Sequence, residues 1–279
     1  MEQQSTKTKG ESEEKVMSFW DHLEELRGHI FRSLIAIVIL AVLAFMNRHV
    51  IFDMIILAPS SSKFITYTWL CELGRLVHSS SLCITDMHLK IINIKMSGQF
   101  LTHMYISAVA GFILAFPYVL WEIWRFVQPA LHQNEKKYSR GGLLISTLLF
   151  LVGILFSYFF IVPVTVNFLG TYSVSGDVVN QISLNSYINT VVSVTFAVGI
   201  VFELPILVYF LTRIGVVTPD FMKKNRKYMV VVLLTVSAII TPPDMFSQMM
   251  VFIPLWGLYE VSILVSKRVY KKQQEETGL

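Results

Sequence analysis

Charge is what this sequence has least of. Only 15% of its 279 residues are charged, while 54% are hydrophobic and the mean hydropathy is +0.58. Soluble domains carry about 25% charged residues, so a chain that crosses a bilayer several times is expected instead. Cysteine is almost missing too. Two residues, Cys71 and Cys83, exclude a scaffold built on disulfides. The chain also lacks HExxH and GxSxG, and no second carboxylate or histidine inside the apolar runs is positioned to work with the one acid of the fourth. An enzyme is not expected, and no cofactor is implied.

Lysine and arginine are absent from two particular places, residues 163–186 and 241–247. The N-terminal segment, the stretches after the second and fourth apolar runs, and the C-terminal tail each hold three to five of them. Short loops rich in Lys and Arg stay on the cytoplasmic side, so both termini are expected there. Segment 47–101 holds five, but it is long enough to escape that rule.

What is present is a series of six apolar runs, at about 33–46, 104–126, 143–162, 187–211, 229–240 and 248–265. The fold class is therefore all-α, a polytopic membrane protein with six transmembrane helices. Residues 1–16 are polar, read as a disordered cytoplasmic tail, and show no signal-peptide pattern; residues 17–270 form one integral membrane domain, and 271–279 a second cytoplasmic tail. The fifth run has only twelve residues, which as a helix reach about 18 Å against a hydrocarbon layer of about 30 Å.

Ahead of the first run, Ser18 and Asp21 resemble a helix cap. Phe19, Leu23, Leu26 and Ile30 follow at helical spacing, opposite Asp21, Glu24, Glu25 and Arg27. That amphipathic segment is expected to lie along the membrane surface. Residues 47–101 read as a long external loop with no clean span, since Ile51–Leu57 is too short to cross. A disulfide between Cys71 and Cys83 is open to the chain on the oxidised side. With His78 and His88 these cysteines match no standard zinc spacing.

The fourth run, Tyr187–Leu211, is twenty-five mostly apolar residues with one carboxylate, Glu203, ten residues before Arg213. That separation puts the acid roughly 15 Å from the basic end of a helix, near mid-membrane. A carboxylate facing lipid there costs several kcal/mol, so it is expected to face a protein groove, water or a partner. Pro205 leaves the carbonyl of Val201 without its helical donor and is expected to kink the run. Pro117 and Pro254 are expected to bend the second and sixth helices.

Four stretches resemble the TatC family of twin-arginine protein translocases: HLEELR (22–27), FPYVLWEIWRFVQPALHQNE (116–135), FELP (202–205) and TPPDMFSQ (241–248). Their order and spacing fit that family from about residue 17 to 270. The resemblance implies a curved, glove-like bundle in the bacterial cytoplasmic membrane. It implies a receptor for twin-arginine signal peptides of folded cargo, working with TatA- and TatB-type single-span proteins under the proton-motive force. It also implies a homo-oligomer in the assembled complex, and no nucleic-acid partner. Residue by residue, Glu25 and Glu135 match the positions that contact the arginine pair, Phe126 matches a neighbour in that site, and Arg27 is the basic member of its motif, placed to orient Glu24. Glu203 and Gln248, with Pro117 and Pro205 shaping their helices, match the intramembrane groove. Glu122 stands where a neutral glutamine is usual, and is expected to join the receptor surface or reach water. The alternative is an ion-coupled secondary transporter using Glu203 as a proton relay. Against it, FELP has no counterpart in the first three runs, where an internal repeat would put one.

Overall fold

The computed structural model describes residues 19–76, 89–127, 136–175, 180–241 and 244–277. Ten α-helices are present among them: α1 (Phe19–Met46), α2 (Ile65–Leu76), α3 (Gly98–Val127), α4 (Lys136–Phe156), α5 (Val162–Thr171), α6 (Leu184–Val201), α7 (Leu204–Arg213), α8 (Pro219–Lys224), α9 (Arg226–Ile240) and α10 (Met245–Thr277). A π-helical turn at Ser157–Ile161 joins α4 to α5 in one apolar rod.

Helix α1 has 28 residues, about 42 Å at 1.5 Å per residue. The amphipathic segment expected on the membrane surface is thus the first part of the first spanning helix, with no break between them. Nothing in Leu23–Ser33 breaks a helix except Gly28, which costs only about 1 kcal/mol. Beyond it Leu34, Ile35, Val38, Ile39, Val42 and Leu43 stay about half exposed, as a lipid-facing stripe does. The C-terminal residues expected as a tail continue α10 to Thr277.

α1 and α3 lie antiparallel. His29 meets Glu122 at one end, and Phe45 stacks on His103 at the other with ring centroids 4.0 Å apart. Between them Gly111 admits the backbone of Ala41, since a Cβ there would stand 2.5 Å from Ala41 N. Close approach through small residues is how helices gain packing where lipid removes the hydrophobic drive. α4 packs antiparallel to α6 and α7 in the same manner, with Gly153 against Phe202 and Gly199 against Ile154. α6 is the centre of the bundle: half of its apolar window is buried, compared with 11% for α1. Ile188, Val194 and Val198 of α6 close the core with Val162 and Val166 of α5 and Val251 and Leu255 of α10.

Segment 47–101 departs from the loop expected. It forms a π-helix at His49–Ile56, a 3-10 turn at Ala58–Ser60, α2, and the strand β1 (Lys90–Ile92). β1 pairs in parallel with β2 (Gln181–Ser183), a two-stranded exception to the all-α class. Residues 49–76 are long and apolar enough to count as a membrane crossing, but they form three separate helical pieces and not one continuous helix. Tyr158 and Tyr187 donate to the carbonyls of Ile55 and Ile56, and Tyr67 donates to those of Pro59 and Pro163, all at 2.7–3.0 Å. Residues 55 to 67 therefore meet one level of the bundle and cap that end of it. Irregular backbone leaves carbonyls unpaired, and buried tyrosine hydroxyls supply the donors. The short fifth crossing is α9, whose 15 residues reach about 22 Å.

Candidate functional site

One end of the bundle gathers the start of α1, the end of α3, the end of α7 and the end of α10, and with them Arg32, Arg125, Arg213 and Lys267. A cleft of about 370 Å³ opens there, lined by Glu24, Glu25, Gly28, His29, Arg32 and Arg125. Glu25 is half-buried, and among the described residues nothing hydrogen-bonds its Oε2, although that atom is out of contact with solvent. A buried carboxylate oxygen without a donor is costly, and it is a natural seat for a cationic ligand.

Behind Glu25 lies a polar cluster that joins α1 to α3. Glu122 is 1% exposed. It accepts from His29 Nδ1 and from the Tyr118 hydroxyl at 2.8 Å, with Arg32 Nη1 at 3.8 Å. Glu122 therefore neither joins the surface nor reaches water. Three partners on one buried acid are what burial demands, since an unpaired charge would cost several kcal/mol. Phe126 is half-buried on the same face, and its ring meets His29 edge-on with centroids 6.2 Å apart. Glu25, His29 and Phe126 are thus brought together. Arg27 is not: it points outward over the Phe31 ring at 5.6 Å, and among the described residues it makes no ion pair with Glu24. Glu135 lies outside the described residues, as do His78, Cys83 and His88. Cys71, in α2, is disulfide-bonded.

Glu203 is half-buried at the break between α6 and α7, where it forms the N-cap of α7. The kink expected from Pro205 is a full interruption. Pro205 falls in the first turn of α7, where its missing N–H is no loss, and the Glu203 carbonyl receives the amides of Ile206 and Leu207. Ser146 of α4 donates to Oε2 of Glu203, while Oε1 is buried with no donor among the described residues. The acid faces protein rather than lipid. Gln248 donates through Nε2 to the carbonyl of Leu234 in α9 at 3.1 Å, which is internal packing. Pro117 and Pro254 sit inside continuous helices.

His29, Arg32, Tyr118 and Ser146 are the site residues that sequence reasoning missed, while Glu122, expected at the surface, is buried instead. The i,i+4 spacings Glu25–His29 and Tyr118–Glu122 were the available signal. A cavity of about 780 Å³ lies at the opposite end among Arg48, His49, Phe52 and His103, and none of the expected site residues lines it.

The model of the family Sec-independent protein translocase protein (TatC) matches residues 21–254. This chain belongs to the TatC family. The TatC of a Blattabacterium from Periplaneta americana is 40% identical over 264 residues, 94% of this chain and 99% of that protein. That of Halalkalibacterium halodurans is 34% identical, covering 94% of each. A crystal structure described as the twin arginine translocase receptor TatC superposes with a TM-score of 0.71 at 32% identity, covering 89% of this chain and 99% of that one. With TatC membership the multi-pass helical fold and the role in protein translocation stand, and the transporter reading falls away.

Proposed function

We propose that this TatC is the receptor of a twin-arginine translocase in a bacterial cytoplasmic membrane, with both termini cytoplasmic and no covalent chemistry. Its cleft takes the paired arginines of a signal peptide on folded cargo. The observation that carries this reading is the Oε2 of Glu25, buried and without a donor among the described residues, in a cleft at the basic end of the bundle. A guanidinium presents planar paired donors that suit a carboxylate, and two adjacent arginines call for two acids. We assign these roles to Glu25 and Glu135, with Phe126 on the Glu25 side of the cleft. The surrounding Arg32 and Arg125 repel cationic peptides that lack the matched pair.

Glu203 lies in the groove behind, where the apolar part of the signal peptide or the helix of a TatA- or TatB-type single-span partner docks. Several copies of the chain act together in the assembled receptor, and the proton-motive force drives transport. Cys71 pairs with Cys83 on the outer face.

The test is crosslinking in membranes between this chain and a twin-arginine signal peptide. The Glu25→Ala/Glu135→Ala double variant should lose the adduct that the parent forms. An adduct of parental yield in the double variant would remove these acids from the binding site.

A further inference from the structure

The cluster around Glu122 does more than join two helices. Glu25 and His29 stand four residues apart on α1, the spacing at which a helix brings an acid and a donor together. Left to themselves, His29 would bond Glu25. In the folded protein it does not: its Nδ1 is held by Glu122 of α3, and the Glu25 Oε2 is left without a donor among the described residues. Arg32, one turn further along α1, is drawn the same way, 3.8 Å from the same Glu122 oxygen. Tyr118 fixes the other oxygen of Glu122 at 2.8 Å, and with only 1% of the residue exposed, its carboxylate has no water to turn toward.

We propose that Glu122 is a positioning residue of the signal-peptide cleft: by capturing His29 it keeps the Glu25 carboxylate open for the guanidinium of the ligand. The acid never touches the peptide. It acts through His29, and its effect is to prevent the receptor from satisfying its own binding group. This rests on the reading of Glu25 as an arginine acceptor.

The experiment measures the affinity of a fluorescent twin-arginine signal peptide for full-length receptor in membrane vesicles, with a paired-lysine peptide as the control. Four receptors are compared with the parent: Glu25→Gln, Glu122→Leu, Glu122→Leu/His29→Phe and the isosteric Glu122→Gln. Glu25→Gln should abolish the preference for paired arginine. Glu122→Leu should bind roughly threefold to tenfold more weakly, the scale of one side-chain pair in a half-buried cleft. Adding His29→Phe removes the freed donor, so affinity should return toward the parental value. Loss of helix packing alone would not be repaired by deleting a second polar group at the same place.

Should Glu25→Gln bind like the parent, the reading of Glu25 fails. If Glu25→Gln loses binding while Glu122→Leu does not, or if His29→Phe brings no recovery, the positioning role is overturned and the acceptor reading stands. Where Glu122→Leu does not accumulate in the membrane, Glu122→Gln and its His29→Phe double variant carry the same comparison, with a smaller loss expected because the amide oxygen still accepts from Nδ1. Parental affinity in Glu122→Gln would then count against the proposal.

Discussion

The hydroxyl of Ser146 in α4 donates to a carboxylate oxygen of Glu203, at the break between α6 and α7. Ser146 is buried, so the acid is tied across the helix interface instead of turning to lipid. The second oxygen of Glu203 is out of solvent contact and has no donor among the described residues. A half-satisfied acid inside a bundle has capacity for one more polar partner.

Export should follow from that capacity. Glu203→Ala is expected to cut export of a twin-arginine reporter at least tenfold, while Ser146→Ala should leave export within about twofold and lower stability by about 1–3 kcal/mol, the penalty for a buried acceptor losing its donor. Reporter export by cells carrying each variant, with thermal midpoints of the purified proteins, checks both. Parental export by Glu203→Ala would reduce the acid to packing.

Gly111 should be intolerant of any side chain. Its added Cβ would sit 2.5 Å from a backbone nitrogen of Ala41, which has no rotamer to move aside. Gly111→Val is expected to force α1 from α3 and to cost upwards of about 2 kcal/mol, read as a fall in the thermal midpoint. Gly141, where an added Cβ would meet nothing within 4 Å, is the control and should accept Ala with little change.

Tyr67→Phe removes one hydroxyl from two carbonyls, those of Pro59 and Pro163. The ring remains, so the expected loss is that of buried unpaired carbonyls, about 1–3 kcal/mol. Its local consequence should be faster proteolytic cutting within residues 55–67 than in the parent, with the other helices protected as before.

Cys71 should be inaccessible to thiol reagents until the membranes are reduced, because it is disulfide-bonded. Cys71→Ser should lower stability by about 2–4 kcal/mol, the usual worth of such a link. Alkylation of Cys71 without prior reduction would contradict the bond.

Hydropathy alone carried much of the architecture into view. The six apolar runs, the breaker at Pro205 and the asymmetry of Lys and Arg are local properties, and a bilayer acts on them locally. Boundaries were less legible. α1 begins well before its apolar run, because charged residues extend a helix into water as readily as apolar ones extend it into lipid. The folding of 49–76 back over one end was also hidden, since its hydropathy resembles that of a span. Only the tyrosine bonds to its carbonyls place it. In the site, a carboxylate at residue 25 was visible as chemistry, but its unpartnered oxygen was not.

The sequence by itself determined that the chain crosses a membrane, which segments are apolar, and where an acid and a proline interrupt them, because each depends on neighbours within a few residues. The tertiary structure decided that Glu122 is buried on His29, 93 residues away, that Ser146 meets Glu203 across 57, and that Gly111 admits Ala41. Those pairings depend on which faces of two helices meet and at what depth. Side-chain shape and small-residue packing fix that, and neither leaves a periodic trace along one chain.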